Sequence, residues 1–193
     1  MRGLKLGILV SGSGSNLQSV IDAVESGKLR SQIVCVISNK EQAYGLERAR
    51  KHKLTGIFID PKASNYDELV LNTLEAHEVD LVVLAGYLKI IDEKLIETYR
   101  GRIINIHPSL LPKFGGKGYY GIHVHEAVIA AGEKESGATV HHVDIGIDTG
   151  ETILQKKLEV YAEDTPESLQ KRILDEIEHK ILVEAIALLE GRA

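Results

Sequence analysis

Asn105 and His107 are the residues of this sequence best suited to chemistry at a developing oxyanion. They lie two residues apart in the run Asn105-Ile106-His107-Pro108-Ser109, at the end of an apolar stretch. On a strand, both side chains would point to the same face, and strand ends in open α/β sheets face the ligand crevice. An amide donor beside a histidine can stabilise an oxyanion and handle a proton. A structural histidine with its hydrogen bonds satisfied explains the pair about as well.

A glycine-rich loop, residues 11–16, follows the first apolar run and precedes a helical pattern. Glycines let the backbone approach a ligand closely, and the start of a helix directs free N–H groups at an anion. The loop therefore predicts a phosphate site, although a plain turn with a helix cap fits about equally well. It is not a dinucleotide fingerprint, because the third glycine would fall at Leu17, and it lacks the lysine of a P-loop. The residues concerned are Gly12, Ser13, Gly14, Ser15 and Asn16.

Three acids are weaker candidates. Asp144 and Asp148 lie with two glycines in residues 143–150, and composition alone favours a turn there. A carboxylate in that turn could instead orient and charge His107. Glu178 interrupts an apolar helix surface, either as a helix-edge acid or as an acceptor for ligand hydroxyls. No HExxH motif or Cys/His ligand set is present, so we expect no metal site.

Five short runs rich in valine and isoleucine alternate with helical patterns in the first half of the chain. They cover residues 4–10, 32–38, 55–59, 80–85 and 102–106. Unbroken apolar runs of this length are typical of strands buried on both faces. Their alternation with helices predicts an α/β fold, with a doubly wound, mainly parallel sheet and helices on both faces.

The second half of the chain follows a different pattern. A loop rich in glycine, proline and lysine at residues 108–121 precedes a predicted helix at 124–131 and predicted strands at 138–143 and 152–160. Thr165 and Pro166 are suited to begin a long helix, as N-cap and first helical residue. The apolar stripe of that helix is predicted to comprise Leu169, Ile173, Ile177, Ile181, Ala185 and Leu188.

Composition narrows the functional classes. The 193 residues are 44% hydrophobic and 26% charged, as in one ordinary globular domain. The net charge of −5 argues against a nucleic-acid partner. The single cysteine, Cys35, lies in an apolar run and is expected to be buried. Neither a signal-peptide pattern nor a bilayer-spanning stretch is present, so a cytoplasmic location without a membrane partner is expected.

Taken together, these motifs closely resemble the phosphoribosylglycinamide formyltransferase family, the folate-dependent transformylases of purine synthesis. The resemblance covers nearly the whole chain in order, and NIHPSLLP is highly specific for the wider formyltransferase superfamily. The matching stretches are SGSGSNLQ at 11–18, SNK at 38–40, GLERAR at 45–50, LAGYLKII at 84–91, NIHPSLLPKF at 105–114 and DTGETILQ at 148–155.

The resemblance implies a formyltransferase-like variant of the Rossmann fold in a single domain over residues 1–193. Residues 1–106 would form the phosphate-binding half, and residues 107–193 the folate and catalytic half. The co-substrate would be 10-formyltetrahydrofolate, with no metal. The other partner would be glycinamide ribonucleotide, and the protein would be a monomer or a homodimer.

The resemblance also implies residue roles. Asn105, His107 and Asp148 would be catalytic, the glycine loop would bind the substrate phosphate, and Glu178 would contact the ribose hydroxyls. Lys89 stands where the family usually has arginine, and the chain carries about one extra residue near Glu178. The implied folate pocket comprises Leu84, Lys89, Ile90 and Ile91, together with the loop from His141 to Asp148, including His141 and Asp144.

Three alternatives stand beside this interpretation. A methionyl-tRNA formyltransferase shares the NIHPSLLP region but is expected to add a basic C-terminal domain. A formyltetrahydrofolate hydrolase is expected to carry an additional N-terminal regulatory domain. A non-catalytic nucleotide-binding module would need the glycine loop but would have no use for Asn105, His107 and Asp148 together.

Overall fold

A seven-stranded sheet forms the centre of the computed structural model, which describes residues 3–191. Five parallel strands come first along the chain, and two antiparallel strands extend one edge. The strands are β1 (Lys5–Val10), β2 (Gln32–Ser38), β3 (Gly56–Phe58), β4 (Leu81–Leu84), β5 (Ile103–His107), β6 (Glu135–His142) and β7 (Thr152–Glu159).

Helices cover both faces of this sheet, so the predicted doubly wound α/β fold is confirmed. One apolar cluster packs the first helix and the C-terminal helices on one face, and a second cluster packs the third and fourth helices on the other. The helices are α1 (Ser15–Glu25), α2 (Tyr44–Lys51), α3 (Tyr66–Ala76), α4 (Glu93–Thr98), α5 (Ile122–Ala130), α6 (Pro166–Ile173) and α7 (His179–Glu190).

The order of the strands creates the ligand crevice. Across the sheet they run β3-β2-β1-β4-β5-β6-β7, so the chain winds outward from β1 and then returns to place β4 beside it. Ligands in open α/β sheets bind at the carboxyl ends of strands near such a reversal. The glycine loop after β1 and the NIHPS segment at the end of β5 both lie at that edge.

The C-terminal helix departs from its predicted stripe. The π-helical turn Leu174–Glu178 joins α6 to α7, and a π-helical turn takes up more residues than an α-helical one. The five predicted stripe positions from Leu169 to Ala185 are nevertheless buried, whereas Leu188 is 44% exposed, contrary to the prediction. After the turn the buried apolar positions are Ile181, Leu182, Val183, Ala185 and Ile186.

Some predicted boundaries also shift. The third strand is shorter than predicted, because Thr55 and Ile59 fall outside β3. Cys35 is buried, as predicted. Among residues 3–191, every helix is too short or too polar to cross a bilayer.

Candidate functional site

Asn105 and His107 lie at the carboxyl end of β5, on the side of the strand opposite Ile104 and Ile106. Those two isoleucines are buried in the core, which fixes the direction of the alternating side chains. His107 is itself buried, and Asn105 is half-buried. The strand therefore presents an amide and an imidazole side by side at the crevice, as their spacing predicted.

Asp148 joins this pair from the loop that follows β6. Its Oδ2 lies 3.5 Å from Nδ1 of His107, and its Oδ1 lies 3.5 Å from Nδ2 of Asn105. The backbone of Asp148 is in the left-handed region, with φ of 58°. The structure thus brings together three side chains that are up to 43 positions apart in sequence.

His141, on strand β6, is the fourth side chain of this cluster. Its Nδ1 lies 2.8 Å from the carbonyl oxygen of His142, so Nδ1 carries the proton and donates it there. Its Nε2 lies 3.1 Å from Nδ2 of Asn105 and 3.6 Å from Oδ1 of Asp148. The side chain of His141 is only 2% exposed. His141 is therefore buried beside Asn105, and its place in the folate pocket stays a prediction.

Burial and charge act in opposite directions on the central pair. Burial lowers the pKa of His107, and the Asp148 carboxylate only partly opposes that decrease. Burial also raises the pKa of Asp148, but the neighbouring His141 ring, the charge of His107 and the N–H of Gly116 together outweigh it and lower the pKa. The resting site at neutral pH is therefore an ionised carboxylate beside an imidazole poised to accept a proton.

Two backbone groups of the loop after β5 hold the same pair. Nε2 of His107 donates to the carbonyl oxygen of Phe114 at 2.8 Å. The N–H of Gly116 donates to Oδ2 of Asp148 at 3.0 Å. With Nε2 engaged, Nδ1 is the nitrogen of His107 available for proton transfer. Sequence reasoning did not identify these contacts, because backbone groups carry no side-chain signature.

The glycine loop is the anion cradle that the sequence predicts. Gly14 has φ of 68°, and a Cβ there would lie 2.7 Å from the Cα of Gly45. Only glycine therefore fits, because both the backbone conformation and the contact with α2 exclude a side chain. A Cβ on Gly12, by contrast, would meet nothing within 4 Å, so the other side of the loop is open.

Asn16 connects this cradle to Glu178. Nδ2 of Asn16 donates to Oε2 of Glu178 at 2.7 Å, and both residues are buried. The amide oxygen of Asn16 has no hydrogen-bond partner among the described residues. Burial raises the pKa of Glu178 to about 7. The pair thus offers acceptor oxygens beside the anion cradle, as hydroxyl groups of a ligand would require.

Glu178→Gln is expected to change how stability depends on pH. Because the folded state holds the proton of Glu178 more tightly than the unfolded chain, this group destabilises the wild type as pH rises from its unfolded pKa of 4.5 through about 7. Glutamine cannot ionise. The free energy of unfolding of Glu178→Gln, relative to that of wild type, should therefore increase by about 2 to 3 kcal/mol between pH 5 and pH 8. Urea denaturation at the two pH values measures this difference.

The exposed Glu41 provides the control for that measurement. Glu41→Gln should change the free energy of unfolding by less than about 0.5 kcal/mol, as an exposed substitution does. An advantage of Glu178→Gln that is equal at pH 5 and pH 8 would show that Glu178 does not take up a proton on folding.

The predicted folate wall is partly apolar and open. Ile90 is 73% exposed and Ile145 is 74% exposed, whereas Leu84 is buried. Exposed isoleucines of this kind at a crevice suit a flat aromatic ligand. Ile91 is half-buried and packs beside the core.

Two charged side chains of the predicted folate pocket already interact with other groups of the protein. Nζ of Lys89 lies 3.3 Å from Oδ1 of Asp67 and 4.5 Å from the ring centre of Tyr66. Asp144 closes its own turn, because its Oδ1 accepts from Oγ1 of Thr149 at 2.6 Å and from the N–H of Gly146 at 3.0 Å. A ligand would have to compete with these partners for either side chain.

His125 is a further residue of the site that the sequence did not single out. It is completely buried in α5, and neither ring nitrogen has a hydrogen-bond partner in the described chain. Burial, together with the charge of His107, lowers its pKa to about 4. His125 is therefore neutral at physiological pH. Within residues 3–191, no group of three or more potential ligands is arranged to hold a metal ion.

Comparison with known proteins gives consistent matches. The family model described as formyl transferase matches residues 4–186. A chloroplastic phosphoribosylglycinamide formyltransferase of Vigna unguiculata is 45% identical over 198 residues, which is 100% of this chain and 63% of that protein. The phosphoribosylglycinamide formyltransferase of Haemophilus influenzae is 42% identical over 87% of this chain and 79% of its own length.

Solved structures agree with these matches. The crystal structure of glycinamide ribonucleotide transformylase 1 from Symbiobacterium toebii superposes with a TM-score of 0.92 at 39% identity, covering 98% of this chain and 89% of that one. This chain spans less than two thirds of the length of the plant relative. It spans most of the length of the Haemophilus influenzae protein.

Proposed function

The chain belongs to the formyl transferase family, and we propose that it moves the formyl group of 10-formyltetrahydrofolate onto the amine of 5′-phosphoribosylglycinamide. The convergence of Asn105, His107 and Asp148 beside an anion cradle supports this proposal. A module that only binds nucleotides needs the cradle but gains nothing from a buried carboxylate 3.5 Å from an imidazole.

The reaction requires a new C–N bond, the loss of another C–N bond and the transfer of one proton. The acceptor amine attacks the formyl carbon, and negative charge accumulates on the formyl oxygen. Nδ2 of Asn105 donates a hydrogen bond to that oxygen, and His107 stabilises it once protonated. The carbonyl is restored when the bond to the folate nitrogen breaks.

Proton transfer is assigned to His107 and Asp148. The attacking amine must lose a proton, and the departing folate nitrogen must gain one. His107 exchanges protons through Nδ1, since Nε2 is held by the carbonyl of Phe114. The Asp148 carboxylate favours the protonated imidazole that this exchange produces. These steps need neither a metal nor a covalent intermediate with the protein.

The two substrates are assigned to different parts of the crevice. The glycine loop binds the phosphate of the ribonucleotide, and Asn16 with Glu178 receives the ribose hydroxyls. The exposed isoleucines at 90 and 145 cover the rings of the folate. Holding both substrates at one strand end removes much of the entropic cost of their encounter.

A direct assay tests this function. The protein is mixed with 10-formyltetrahydrofolate, and absorbance is followed with and without 5′-phosphoribosylglycinamide. We expect tetrahydrofolate to form only when the ribonucleotide is present. Formation without the acceptor would indicate a hydrolase, and no change under either condition would indicate a binding module.

A further inference from the structure

Helix α2 holds two successive carbonyl groups of the glycine loop. The N–H of Gly45 donates to the carbonyl oxygen of Gly12 at 3.0 Å. Nε of Arg48 donates to the carbonyl oxygen of Ser13 at 2.8 Å. Cδ of Arg48 also lies 3.4 Å from the position of a Cβ on Gly14, so the side chain packs against the loop.

These two contacts determine where the N–H groups of the loop point. In a trans peptide the C=O and N–H bonds are antiparallel. Because the carbonyls of Gly12 and Ser13 face α2, the N–H groups of Ser13 and Gly14 face the open side. No N–H group from Ser13 to Asn16 donates to another described residue. Such consecutive free N–H groups form an anion-binding nest.

The same arginine supplies the positive charge that the loop lacks. Its Nη1 donates to Oε1 of Gln18 at 3.0 Å, and its guanidinium lies 4.9 Å from the ring centre of Tyr44. Within residues 3–191, Arg48 has no carboxylate partner. An unpaired guanidinium behind an anion nest remains available to neutralise a phosphate.

A second observation indicates that a ligand occupies this region. The amide oxygen of Asn16, in the first turn of α1, is buried and has no partner in the described chain. Leaving a buried acceptor unpaired is costly. A ligand hydroxyl beside the nest would remove that cost.

We propose that Arg48 is the positioning residue and the counter-charge for the substrate phosphate, a phosphomonoester dianion bound by the N–H groups of residues 13–16. It acts by turning the Ser13 carbonyl away from the anion and by compensating the anion's charge from behind. This inference rests on the proposed function, because it takes the ribonucleotide phosphate as the ligand.

Steady-state kinetics of Arg48→Gln with two acceptors tests the inference. With 5′-phosphoribosylglycinamide, we expect the acceptor KM to rise about 10- to 100-fold and kcat to change less than about threefold. With glycinamide riboside, which lacks the phosphate, wild type and variant should have the same kcat/KM. Arg48→Lys keeps the charge but loses the paired contacts, so it should recover part of the loss.

Arg50→Gln is the matched control, because Arg50 lies on the same helix, is exposed and pairs with Glu47. It should leave both acceptors unaffected, and circular dichroism melting should show that all variants are folded. An equal loss with both acceptors would mean that Arg48 is only structural and would overturn the proposal. Unchanged kinetics with the phosphorylated acceptor would also overturn it.

Calorimetry with ribose 5-phosphate separates this inference from the proposed function. We expect wild type and Arg50→Gln to bind this probe, and Arg48→Gln to bind it at least about tenfold more weakly. If the wild type had no transformylase activity but showed this pattern, the proposed function would fail and the role of Arg48 would stand. Equal affinity in wild type and Arg48→Gln would reject the role of Arg48 whatever the assay gave.

Discussion

Replacing Asp148 with asparagine is expected to lower kcat about 10³-fold while changing the KM of each substrate only slightly. The carboxylate lies 3.5 Å from Nδ1 of His107 and is the main group that opposes the effect of burial on that histidine. Without it, the pKa of His107 should fall further, and a protonated imidazole becomes unavailable when the amine releases its proton. Steady-state kinetics and NMR titration of His107 measure the two effects.

The substitution should leave the fold intact. Position 148 has φ of 58°, and asparagine tolerates this left-handed conformation as well as aspartate does. The amide oxygen can still accept from the N–H of Gly116. Glu151→Gln, three residues along the same loop and exposed, is the control and should stay within about twofold of wild-type kcat. A kcat of Asp148→Asn close to that of wild type would contradict the mechanism.

The sequence could predict those parts of the fold and site that depend on side-chain patterns. Uninterrupted runs of valine and isoleucine identified the buried strands, because strands covered on both faces of a sheet bury nearly all of their side chains. The spacing of Asn105 and His107 placed both on one face of β5. The turn around Asp148 gave no such pattern, and composition alone favoured a plain loop there.

Other features depend on three-dimensional context. The hydrogen bonds from His107 to Phe114 and from Gly116 to Asp148 use backbone groups, which every residue possesses. The sequence pattern predicted one continuous C-terminal helix, whereas a π-helical turn interrupts it at residues 174–178, and Leu188 is exposed. In the sequence alone, Arg48 is one of several charged residues on helix α2. Only the packing of α2 on the glycine loop distinguishes Arg48 from Arg50.

The predicted folate wall depends on contacts that the sequence does not show. Ile90 and Ile145 are exposed, which fits a surface that a ligand covers, but Lys89 and Asp144 are engaged by protein groups. The resemblance to the formyltransferase family implied these residues, whereas their availability depends on partners from α3 and from the loop itself. A ligand that uses Lys89 must therefore compete with Asp67.

Asn105→Asp is expected to lower kcat about 10³-fold, more than Asn105→Ala, which should cost about 10²-fold. Both variants remove the donor to the formyl oxygen. Only aspartate adds a negative charge where negative charge develops, about 3.5 Å from the carboxylate of Asp148. Two carboxylates this close cannot both ionise easily, so the pKa of one of them should rise.

The difference between the two variants should therefore depend on pH. As pH falls and the new carboxyl group takes up a proton, kcat of Asn105→Asp should approach that of Asn105→Ala, provided both are compared at the same pH. Asn72→Asp makes the same chemical change at an exposed position of α3 and should leave kcat unchanged throughout. Equal losses for Asn105→Asp and Asn105→Ala at every pH would mean that no negative charge builds up near position 105, and the oxyanion would then have to form elsewhere in the crevice.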